Sequence, residues 1–130
     1  VESEYHGDFY DFPPVYSFPR PVQRPHPLVI LGGNAKNVFK RVVEYGNGWM
    51  PTTASVEEIR MGRSQITELA NNAGLDPKTF EISAFHQPAD PKLIEELSQN
   101  GADRVILELK TASEDEALSQ LNGFAHKLLN

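Results

Sequence analysis

Gly32-Gly33-Asn34 follows the apolar run Leu28–Leu31 and precedes a helical pattern. Glycines at such a junction let backbone N–H groups approach a ligand closely, and a helix N-terminus favours negative charge. The chemistry those residue types suit is the holding of a phosphate-like anion. They equally suit a tight strand-to-helix turn that needs positive φ. Thr52 ends the next short apolar run, "GWMPT" (48–52), and Thr53 follows it. Their hydroxyls suit donation to phosphate or substrate oxygens, or a lead into the helix cap at Ser55. Trp49 beside them reads as a packing element.

Other polar residues fall where strands end. His86 and Gln87 close the run "FEISAF" (80–85), where a histidine has the right chemistry for acid–base work or anion donation. No carboxylate stands at a suitable spacing, so His86 reads as a polar loop residue. Glu108 alternates against Val105, Leu107 and Leu109 and so shares a face with Ile106. A carboxylate there needs a partner, and Arg104 or Lys110 is expected to supply it. His6, His26 and His126 are scattered without the i,i+4 spacing of a helical metal site, so no metal is expected.

The elements that must position these residues come in two unequal parts. Residues 1–27 hold six of the ten prolines and the aromatic residues Tyr5, Phe9, Tyr10, Phe12, Tyr16 and Phe18. "EYHGDFYDF" suggests a hairpin about Gly7-Asp8. The prolines that follow argue against a regular ladder and for extended chain. This arm has no core of its own, so its aromatic residues are expected to bury against the body or a partner.

From 28 to 130 strand and helix patterns alternate. "LVIL" (28–31) reads as a strand buried on both faces, with Asn34 capping a helix whose stripe is Val38, Phe39, Val42 and Val43, ended at Gly46. "SVEE" (55–58) and "SEDE" (113–116) are capping boxes. Between them lie a helix stopped at Gly74, the strand 80–85, a helix from Asp90-Pro91 to Gly101, and the strand "RVILEL" (104–109). Four strand–helix units in succession argue for an α/β fold with a parallel sheet. That sheet is either open with helices on both faces, or half of a (β/α)8 barrel with helices on one face and a bare inner face.

Composition narrows the function. Twelve basic against eighteen acidic residues, net charge −6, with no Lys/Arg cluster, disfavours nucleic acid. Zero cysteines exclude thiolate chemistry and disulfides and suit a reducing cytoplasm. No apolar run is long enough for a membrane span.

The residues "YHGDFYDF", "PRPVQRPHPLVILGG", "GNGWMP" and "GADRVILEL" together resemble the C-terminal half of the luciferase-like monooxygenase family, closest to its deazaflavin (coenzyme F-420) branch. The resemblance spans essentially the whole chain. Asn47 stands where the family pattern commonly has Asp. The likeness implies four βα units of a (β/α)8 TIM-type barrel, with FMN or a deazaflavin as cofactor. It also implies oxidoreductase or monooxygenase chemistry on a small organic substrate. Gly32, Gly33, Asn34, Thr52 and Thr53 are then the expected cofactor-phosphate contacts. Most of the family's acid–base residues belong to the N-terminal half, so no catalytic residue is assigned and the isolated chain is expected to be inactive. A bare half-barrel is expected to pair with that missing half or with a second copy. A non-catalytic, self-associating module is the alternative.

Overall fold

Two sheets form, and only the second has a core. The structure, a computed structural model, describes residues 2–52, 54–110 and 113–129. In the arm, β1 (Ser3–His6) and β2 (Asp11–Val15) pair antiparallel, with Tyr5 opposite Phe12 and His6 opposite Asp11. The Gly7 amide donates to the Tyr10 carbonyl to close the turn, and the Tyr5 and Phe12 rings stack at 6.4 Å. Pro13 and Pro14 sit inside β2, which a two-stranded ribbon tolerates because each strand has an unpaired edge. The ladder is irregular between Ser3 and Tyr5. The arm's aromatic residues do not bury on the body: Phe9 is 93% exposed and Phe18 70%.

The body contains β3 (Ile30–Gly32), α1 (Val38–Tyr45), β4 (Gly48–Met50), α2 (Val56–Asn72), β5 (Glu81–Gln87), α3 (Pro91–Gln99), β6 (Arg104–Leu107) and α4 (Glu114–Leu128). The sheet order is β3-β4-β5-β6, and every pair is parallel. Two expectations need correction. The first strand begins at Ile30 and is half-buried rather than buried on both faces, because it is an edge strand with one neighbour. The helix after it starts at Val38, so Asn37 and not Asn34 occupies the cap position, without a side-chain cap bond.

The register assigns each residue to a face. Leu31 lies level with Trp49, Trp49 with Ile82, and Ala84 with Val105. This side meets Val38 and Val42 of α1, Ile59, Ile66 and Ala70 of α2, and Leu97 of α3 in a single core. Three helices therefore cover one face, as sequential parallel strands with right-handed crossovers require. The other face carries Ile30, Gly48, Glu81, Ser83 and Arg104 in register, continued by Met50 and Ile106. Within this row Arg104 pairs with Glu81 at 3.1 Å and the Ser83 hydroxyl donates to Glu81 at 2.8 Å. The last helix, α4, buries no residue fully, and its Leu118 and Leu121 remain about half exposed.

Sequence dictates the packing at two points. Gly62 lets α2 press on Trp49: a Cβ there would lie 2.3 Å from the indole ring. Ser55 and Glu58 form the expected capping box, and so do Ser113 and Glu116. The bonds from Ser55 hold the Glu58 carboxyl below the ordinary glutamate range, and those from Ser113 do the same for Glu116.

Arg63, on α2, ties the lower end of the sheet together. Its guanidinium donates to the Gly101 carbonyl at 2.8 and 3.1 Å, to the Phe80 carbonyl at 2.9 Å, and to the Asp103 carboxylate. Asp103 in turn accepts from the Ile82 amide at 2.8 Å. Replacing Arg63 by Met strands these acceptors and is expected to cost about 2 to 3 kcal/mol in urea unfolding. A change within experimental error would show that the helix–sheet apolar contact alone sets the packing.

Candidate functional site

In a parallel sheet all strands end at one edge, and the loops leaving that edge are where ligands are usually held. Here the edge gathers residues 32–37 after β3, Pro51 and Thr52 after β4, His86 at the end of β5, and Glu108 after β6. Gly32 lies level with Met50, which brings Gly32, Asn34 and Thr52 to the ends of two neighbouring strands. Thr53 lies outside the described residues.

Gly33 has φ +85°, the conformation a glycine accepts without strain. Its amide is occupied, donating to the Met50 carbonyl at 3.2 Å, and its carbonyl accepts the Trp49 Nε1–H at 2.8 Å. Trp49 is thus a core residue, edge-on to Phe39 at 4.8 Å, that also fixes the turn. Helix α1 begins four residues after Asn34, so an anion would not sit directly on its first turn. The amides of Asn34, Ala35, Lys36 and Asn37 lie between the ladders and meet no described acceptor. A cleft of about 160 Å³ beside them is lined by Asn34, Phe39, Trp49, Glu58 and Met61. The Glu58 carboxylate, held ionised by Ser55, argues against an anion inside that cleft.

The third strand ends differently from its expectation. His86 does have a carboxylate partner: its Nε2 lies 3.5 Å from Glu108 Oε2. Arg104 is not the partner of Glu108, because residues four apart on a strand are about 13 Å apart along the chain while neighbouring strands are under 5 Å apart. The Lys110 backbone instead exchanges hydrogen bonds with the Gln120 side-chain amide. Gln87 points away from His86 into the core, 6% exposed, and donates to the carbonyls of Phe85 at 2.8 Å and Ala54 at 3.3 Å. It anchors the β4–α2 loop. Among the described residues no cluster of three potential metal ligands is assembled, and no helix is long and apolar enough to cross a membrane.

Comparison with known proteins decides the family. The luciferase-like monooxygenase family model matches residues 1–127. The chain belongs to this family. It is 30% identical over 129 residues to an uncharacterized protein of Mycobacterium tuberculosis, covering 98% of this chain and 44% of that protein. It is 27% identical over 128 residues to an FMNH(2)-dependent dimethylsulfone monooxygenase of Pseudomonas putida, covering 97% of this chain and 32% of that one. The chain thus spans less than half the length of these relatives. Its fold is similar to that of the monooxygenase RslO1 of Streptomyces bottropensis, with TM-score 0.69 and 18% identity over 98% of this chain and 55% of that one.

Asn47, just before the Gly-Trp pair, has a structural role here. Asn47 Oδ1 accepts from the Val29 amide at 2.9 Å, and its backbone completes the ladder to Val29 and Glu81. Asp103 does the same for Ile82 before β6, so an acceptor after a helix-ending glycine and before a strand is a repeated device. Only an acceptor oxygen is required, which either Asn or Asp supplies. Asn47→Asp is expected to stay within about 0.5 kcal/mol of the parent, and Asn47→Leu to lose about 1 to 2 kcal/mol, by denaturant midpoints. Equal losses would mean the acceptor is not what the position needs.

Proposed function

We propose that this chain forms the C-terminal, cofactor-phosphate side of a luciferase-like oxidoreductase that uses FMN or a deazaflavin. Its four βα units would make half of a (β/α)8 barrel. The observation that supports the reading is the sheet itself: α1, α2 and α3 pack on one face, and the half-buried Ile30, Met50 and Ile106 on the other suit the interior of a larger barrel. The FMNH(2)-dependent relative supports FMN as the cofactor. Zero cysteines support a cytoplasmic setting.

The residues present fit such a cofactor. The unengaged amides of Asn34 to Asn37 and the exposed Thr52 hydroxyl suit a phosphate, and Thr53 is proposed with them. Gly32 leaves the approach open, while Gly33 contributes shape rather than its already donated amide. The apolar part of that face, Ile30, Met50 and Ile106, suits contact with a flat ring system. The cofactor, when bound, supplies the electron chemistry. These four βα units by themselves are proposed to be inactive. A second reading, a self-associating module without catalysis, is favoured by Leu118 and Leu121 of α4, which are about half exposed.

Titration with FMN and with the deazaflavin coenzyme, followed by fluorescence quenching, tests the first reading. Saturable binding of one of them is expected, weakened at least about tenfold by Gly32→Val. Gly32 is the right position for this change because its φ is ordinary and a side chain there meets only the Met50 carbonyl at 3.8 Å. No binding of either cofactor by a folded chain would leave the module reading.

A further inference from the structure

His86 is the one non-glycine among the described residues with positive φ, at +58°. Such a backbone is held against a steric penalty, and the surrounding ladder shows what holds it. Ala84 pairs with Val105 and Gln87 with Leu107, so β5 takes three steps where β6 takes two. Simple alternation from Ile82 and Ala84 would have put the His86 side chain into the core. The extra residue instead sends Gln87 inward and His86 out beside Glu108, as a bulge re-aims a side chain.

The outcome is a pair open to solvent, with side chains 55% and 44% exposed, at the same edge as Gly32, Asn34 and Thr52. Nε2 is the ring nitrogen that faces the carboxylate, at 3.5 Å, which leaves Nδ1 on the open side of the imidazole. Nδ1 meets no described protein partner. The Phe85 ring lies 5.8 Å from the imidazole and is itself partly exposed, offering an apolar contact beside the base.

We infer that His86 and Glu108 form a proton-transfer pair for a hydroxyl carried on an apolar or aromatic skeleton. In the step, the ligand O–H bond breaks and an Nδ1–H bond forms. The electron pair stays on oxygen, and the new imidazolium faces the Glu108 carboxylate. The inference rests on reading this edge as the ligand side, but it does not require a flavin to bind.

The test uses the intact chain and p-nitrophenol, whose absorbance reports its own ionisation. At one fixed pH near neutrality, excess protein is expected to raise the phenolate fraction. His86→Gln should abolish the rise and Glu108→Gln should reduce it. Ring nitrogen NMR should show the Nε2–H tautomer of His86 in the parent, with that preference lost in Glu108→Gln. Since glycine adopts positive φ freely, His86→Gly should raise the thermal midpoint while abolishing the p-nitrophenol signal. A histidine kept only for structure predicts a lower midpoint. An unchanged phenolate fraction, the opposite tautomer, or a destabilised His86→Gly would each overturn the pair. A p-nitrophenol signal without flavin binding would remove the cofactor reading and keep the pair; flavin binding without the signal would do the reverse.

Discussion

Four parallel strands laid down in sequence order, with the packed helices on one side, constrain everything else in this molecule. A right-twisted strand followed by a right-handed crossover returns the chain to the same side each time. Trp49, Ile82 and Ala84 can then meet α1, α2 and α3 in one core. The consequence is a second face whose half-buried Ile30, Met50 and Ile106 meet none of the three helices of the core. The same constraint brings every loop that leaves a strand's C-terminal end to one edge, so residues far apart in sequence, Asn34 and Glu108 among them, share a rim.

The two ends of the sheet are built for different tasks. At the lower end the strands start from acceptors that close the ladder, Asn47 on Val29 and Asp103 on Ile82, and Arg63 binds the carbonyls of Phe80 and Gly101 across them. Charges and backbone groups there are satisfied by one another. At the upper end the backbone departs from regularity, with Gly33 at positive φ, a bulge in β5 and His86 in a left-handed conformation. Rigid packing at one end lets the other carry backbone strain and exposed amides without a described protein acceptor.

The order of elements was legible because its signals are local. Capping boxes at Ser55 and Ser113, the Asp90-Pro91 start and the stops near Gly46, Gly74 and Gly101 all act within a few residues. The start of α1 was misplaced because Asn34 has the right side chain for a cap, yet the turn pinned by Trp49 delays the helix to Val38. Partnerships between strands were not legible. His86 and Glu108 stand 22 positions apart, and the bulge that joins them depends on β5–β6 register, which no single-strand pattern encodes. Arg63 was invisible for the same reason: its acceptors lie on three separate segments. The resemblance in "GNGWMP" and its neighbours reached the family, which the match over residues 1–127 shows.

The bare face is the claim on which the functional reading stands, and solution behaviour tests it directly. Sedimentation velocity across a micromolar concentration series, with an apolar-surface dye in parallel, reads both association and exposed sheet. A sheet made for the interior of a larger barrel predicts concentration-dependent association, strong dye binding, or both. A stable monomer at every concentration with no dye binding would contradict it.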